Sequence, residues 1–136
     1  MIQKLQSKRG GFTLVEIMNV VAIIALLAAI AVPNFLRARK RSQATRILED
    51  LRDLDHGLDQ YAIDNSKTGG FVATFADVSN YIKTGTVLYQ TGADLFGDSY
   101  GPNFTVDTVL QVPTTAYNSL SDVAPAVFWS PYTTGT

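Results

Sequence analysis

Gly10-Gly11-Phe12-Thr13-Leu14-Val15-Glu16 opens an apolar run that continues to Val32 and meets Pro33. Between Phe12 and Val32 the only polar residues are Thr13, Glu16 and Asn19. At 1.5 Å per helical residue the run reaches about 30 Å, the thickness of a bilayer's hydrocarbon core. One acid sits inside it, close to a Gly-Gly/Phe junction, and a carboxylate at the centre of a membrane helix costs ~2.5–3.5 kcal/mol on insertion scales. Glu16 lies nearer an interface, where the cost is smaller, but it still needs an explanation.

Three readings of the first 33 residues are open. A secretory signal peptide would explain the basic start, the apolar region and the small residues Ala29 and Ala31. The run is longer than the usual signal core, however, and Glu16 interrupts it early. A plain single-pass anchor fits the length and leaves the acid unexplained. Cleavage between Gly11 and Phe12 would instead create a positive α-amino group four residues before Glu16. A charge pair within one helix or between neighbouring helices would then offset the acid's cost.

The remaining composition narrows the function. The chain has 136 residues, 11 basic and 12 acidic side chains, one histidine and no cysteine. Disulfides, thiolate metal sites and thiol catalysis are excluded. Without residues 1–11, which carry Lys4, Lys8 and Arg9, 8 basic side chains face 12 acidic ones. That balance predicts no nucleic-acid surface. No Gly-x-Ser-x-Gly elbow, HExxH motif or nucleotide-binding loop occurs, so the chain reads as a non-enzyme. His56 falls on the polar side of a helix, as a solvated residue.

Lys8 to Glu16, the apolar run and Ala31-Val32-Pro33-Asn34-Phe35 together resemble the amino-terminal region of type IV pilins and type II secretion pseudopilins. Asn19 departs from the pattern, standing where an aliphatic residue is usual. The resemblance covers about thirty residues. It implies a leader, residues 1–11, removed by a prepilin peptidase between Gly11 and Phe12, and N-methylation of Phe12. It also implies that Glu16 pairs with the Phe12 amine of an adjacent subunit during filament assembly. Further implied partners are an inner-membrane assembly platform and a cytoplasmic ATPase. The implied location is the bacterial inner membrane, with the carboxyl-terminal region periplasmic, and then a filament. Two filaments remain open, an extracellular pilus and the periplasmic pseudopilus of type II secretion, beside an anchored or signal-bearing exported binding protein.

Beyond Pro33, Leu36, Ile47, Leu48, Leu51, Leu54, Leu58, Tyr61 and Ala62 recur at spacings of three and four, one apolar stripe of a helix. The expected architecture is α+β and pilin-like. One long helix, kinked near Pro33, covers 12–65 and spans the membrane over 12–32. It packs on a small antiparallel sheet within residues 66–136. Thr74 and Asp77 predict a capped helix start. Strands are expected at Thr86–Tyr89, Phe104–Leu110 and around Thr115–Leu120. The Asp94–Tyr100 segment reads as a turn anchored by Phe96 and Tyr100. It resembles the Asp-aromatic-Gly-Asn-x-Tyr turn of major pseudopilins, with Asp98 replacing Asn. In that family a nearby loop can bind calcium, which makes Asp94, Asp98, Asp107 and Asp122 candidate oxygen ligands here. No EF-hand spacing joins them, and a plain turn with no metal or cofactor is the simpler expectation.

Overall fold

The computed structural model of the protein describes residues 10–135, so the basic residues Lys4, Lys8 and Arg9 lie outside it. Helix α1 runs without a break from Leu14 to Asp64, through Pro33. The chain divides into two compact units, one ending at Leu36 and one beginning at Arg37.

In the first unit, α1 presents apolar side chains on every side. Large apolar residues from Phe12 to Leu36 are between 50% and 86% exposed. Among the described residues no part of the unit covers them, and exposed apolar surface of this extent marks a site for lipid or other chains. By length and composition this half of α1 is fit to cross a membrane.

The second unit holds the core. Ile47, Leu51, Leu54 and Leu58 of α1 are at most 2% exposed and form the expected stripe, with Leu48, Ala62 and also Ala44 and Gly57 buried beside them. Leu36, read from sequence as part of the stripe, lies in the first unit and is 50% exposed. His56 is exposed, as its position opposite the stripe requires. Gly57 is needed for contact: a Cβ there would stand 3.1 Å from Val78 Cγ1.

After α1 come strand β1 (Val72–Thr74) and helix α2 (Phe75–Ser79). Thr74 and Asp77 form the predicted capping box at the start of α2, with Asp77 accepting from the Thr74 backbone N–H at 3.0 Å. Helix α3 (Val87–Thr91) follows, then strands β2 (Asn103–Thr105) and β3 (Gln111–Val112), helix α4 (Thr114–Leu120), a 3₁₀ turn (Ala126–Trp129) and strand β4 (Thr133–Thr134). The fold is α+β, a long amino-terminal helix with a small antiparallel sheet. β1 and β2 pair antiparallel, with Ala73 opposite Phe104. Beside this sheet is a short parallel pair, β3 with β4.

Three expected strands need correction. Thr86–Tyr89 is the beginning of α3: the Thr86 hydroxyl accepts the Tyr89 N–H, and Gly92 at φ 62° closes the helix in a left-handed cap. Thr115–Leu120 belongs to α4, which buries Ala116 and Leu120, four residues apart, on one face. Phe104–Leu110 is a strand only to Thr105. Asp107 at φ 61° turns the chain, and Thr108 N–H bonds back to the Thr105 carbonyl.

The aromatic side chains near the carboxyl end pack inward. Trp129 is fully buried and donates its indole N–H to the Ala124 carbonyl at 3.0 Å; Tyr132 is 7% exposed.

Candidate assembly site at the start of the long helix

Gly10, Gly11, Phe12 and Thr13 precede the helix. They are exposed, and nothing lies within 4 Å of where a Cβ would stand at Gly10 or Gly11. Among the described residues nothing shields the Gly11–Phe12 peptide bond, which lies in backbone outside the helix.

Thr13 is the N-cap of α1. Its carbonyl accepts the Ile17 N–H at 3.3 Å, and its hydroxyl accepts the Glu16 N–H at 3.2 Å. The Glu16 carboxylate reaches back through Oε2 to the Thr13 N–H at 3.1 Å. Two of the N–H groups that a helix start leaves without partners are thus satisfied reciprocally. The negative charge also stands at the positive end of the helix dipole. Sequence reading missed this arrangement, although its signal, Thr-x-x-Glu before an apolar run, is explicit. The expected helix start at Phe12 moves to Leu14 for the same reason. Phe12, Glu16, Ile17, Val20 and Val21 line an open groove of about 430 Å³ along this end of the helix. Phe12 is 86% exposed.

The four aspartates considered as calcium ligands have separate settings. Asp94 is 3% exposed, and its Oδ1 accepts the N–H groups of Phe96 at 2.8 Å and Asp98 at 2.9 Å. These bonds build the turn read from sequence, with Gly97 at φ 87°. Tyr100 anchors that turn by donating its hydroxyl to Asp50 Oδ2 at 3.0 Å, whereas Phe96 is 39% exposed and does not anchor it. Burial and then the Asp50 charge push the Tyr100 phenol's pKa up. Asp107 occupies its own left-handed turn against Gly69. Asp122 accepts from Lys40 Nζ at 2.9 Å, and that bond holds its carboxyl below the usual range. Among the described residues, no three acidic or histidine side chains gather in a group that could hold a metal.

Residues 6–32 match the family model for the prokaryotic N-terminal methylation motif. This defines the class of the amino-terminal region, in which the exposed glycines, Phe12, Glu16 and the apolar helix all fall. The chain is 48% identical over 56 residues to the type IV wide pilus major component PilA4 of Thermus thermophilus, a match covering 41% of this chain and 43% of that one. It is 38% identical over 60 residues to type II secretion system core protein G of Klebsiella pneumoniae, covering 44% of this chain and 43% of the relative. To the same protein of Vibrio cholerae it is 40% identical over 63 residues, or 46% and 43% of the two chains. The chain thus spans less than half the length of the curated relatives it matches. No solved structure matches it.

Proposed function

We propose that the chain is a structural subunit of a type IV pilus-like helical filament, made as a membrane-anchored prepilin. The peptidase cuts between Gly11 and Phe12, and Phe12 is N-methylated. Residues 12–32 hold the subunit in the bacterial inner membrane, with residues 66–136 in the periplasm. The platform protein and cytoplasmic ATPase then draw it into the polymer. Assembly exchanges lipid neighbours for neighbouring helices around the bare half of α1.

The observation that supports this most is the combination at residues 11–16. An unwound, exposed Gly11–Phe12 bond precedes a capped helix whose first turn holds the only acid of the apolar run. Glu16 keeps the Thr13 N–H through one oxygen, and no bond among the described residues engages the other. That second oxygen can accept a neighbour's Phe12 ammonium without dismantling the cap. In hydrocarbon such a pair outweighs an acid left alone, because breaking a buried pair costs about 3–5 kcal/mol.

A second reading, the major pseudopilin of a type II secretion system, is favoured by the Asp94–Tyr100 turn and by the core protein G relatives. Deleting the gene in its host tests both. Loss of surface filaments with normal secretion supports the pilus. Retained pili with periplasmic build-up of exported enzymes supports the pseudopilus. No change in either refutes the filament reading.

A further inference from the structure

In the second unit, a cleft of about 640 Å³ opens beside α1, lined by Arg46, Asp50, Val87, Thr91, Asp94 and Leu95 among others. Its chemistry is uneven. Asp94 is 3% exposed, and its Oδ2 has no hydrogen-bond partner although Oδ1 has two. A buried carboxylate oxygen left in this way is costly. Asp50 spends Oδ2 on Tyr100, and no bond among the described residues engages its Oδ1. Two carboxylates against the single guanidinium of Arg46 leave the cleft one negative charge in excess. Val87 and Leu95 supply an apolar wall. A cationic head on an aliphatic stem matches this set, because such side chains lay their methylenes on apolar surface and keep the charge at a polar end.

The same unit offers that group. Lys40 is already paired with Asp122, while Arg39 and Arg41 are exposed and make no ion pair among the described residues. They lie nine to eleven residues before Asp50 on the same helix, about 14–17 Å along its axis, and cannot reach this cleft within one copy. We propose that the cleft receives Arg39 or Arg41 of a second copy of this chain, bonded to Asp50 and drawn in by the buried charge of Asp94 beneath it. The pairing sets an axial offset of that order between two subunits. The inference rests on the filament reading and adds a contact that fixes register outside the membrane. A planar guanidinium suits a carboxylate better than an ammonium does, through its fixed fork of donors.

The absence of natural cysteine makes cross-linking a clean test. Val87→Cys on the cleft lip is combined with Arg39→Cys or Arg41→Cys in the full chain, expressed in its host, and sheared or extracted polymers are mildly oxidised. The expected result is a ladder of dimers and higher multimers for at least one pair, absent from each single variant. Normal polymers without a ladder from either pair overturn the proposal, including the case in which a divalent cation fills the cleft instead. If the cysteines block assembly, charge exchange decides. Asp50→Arg combined with Arg39→Asp and Arg41→Asp should restore at least tenfold the polymer lost in the Arg39→Asp/Arg41→Asp variant, and no restoration overturns the contact. Absence of polymer from the unmodified chain is a separate outcome, which refutes the filament reading and this contact with it.

Discussion

Thr13 and Glu16 hold each other at the head of the long helix, the hydroxyl of one accepting the other's N–H and the carboxylate of the second accepting the first's N–H. Glu16 therefore has a structural task within its own chain besides any task between chains. Two substitutions separate them. Glu16→Gln keeps an acceptor for the Thr13 N–H and removes the charge, since glutamine also closes a capping box. It should leave cleavage and helix content unchanged while reducing polymer at least about tenfold, equivalent to about 1.4 kcal/mol per contact or more. Immunoblots of sheared and membrane fractions read both quantities, and full polymer yield would contradict the charge pairing.

Thr13→Ala does the reverse. Losing the cap should cost about 1 kcal/mol at the helix start. Amide exchange of Glu16 and Ile17 in micelles should quicken several-fold, with exchange beyond Val21 unchanged. Uniform quickening along the helix would show that the cap does more than close its first turn.

Gly57 lies where α1 passes close to α2. A side chain there meets Val78, itself fully buried, at 3.1 Å and Ile82 at 3.4 Å. Gly57→Val should destabilise the second unit by about 1–3 kcal/mol through overpacking. A thermal melt of the full chain in detergent reads this as a fall of several degrees, and an unchanged melt would mean the helices separate freely.

Trp129 is sealed in the core and bonded to the Ala124 carbonyl. Trp129→Ala should cost about 3–5 kcal/mol, enough to unfold a small unit of this kind. Trp129→Phe should cost less, retaining most of the volume and losing the hydrogen bond. Comparable losses for the two would place the weight on that bond.

Burial raises the pKa of Asp50, against an opposing hydrogen bond from Tyr100; burial and then the Asp59 charge raise that of Asp55. An aspartate with a raised folded pKa holds its proton more tightly folded than unfolded. Its contribution is thus fully present at low pH and is lost as pH rises from the unfolded value, 3.8, through the folded one. Asp77 and Asp122, with lowered values, act in the opposite sense, their contributions being lost as pH falls. Comparing variants cancels the latter pair. Asp50→Asn/Asp55→Asn should melt with the parent near pH 3 and a few degrees above it at pH 7, in melts of the full chain. A variant less stable at pH 7 would contradict the sign.

The legible parts of this fold were those with strong periodicity or an unambiguous cap. The stripe from Ile47 to Ala62 announces a helix buried on one face, and Thr74 with Asp77 announces the start of α2. The misread segments are short, and those at 86–89 and 104–110 are rich in β-branched residues, a composition that favours strands only weakly. At 86–92 the local signals were present in Thr86 and Gly92 but were outweighed by Val87-Leu88-Tyr89. At 114–120 the decisive feature is burial of Ala116 and Leu120 against the rest of the core, which no local pattern announces. The residues of the methylation motif are legible in the sequence, while the reciprocal bonds of Thr13 and Glu16 need the geometry of the first turn.

The central claim is that the mature chain begins at Phe12 and that its new amino group meets Glu16. Intact mass and amino-terminal fragmentation of the protein from native membranes test it most directly. The expected result is a chain lacking residues 1–11, with one extra methyl group on the Phe12 nitrogen. A mature protein retaining Met1 to Gly11, or beginning near Val32, would contradict it.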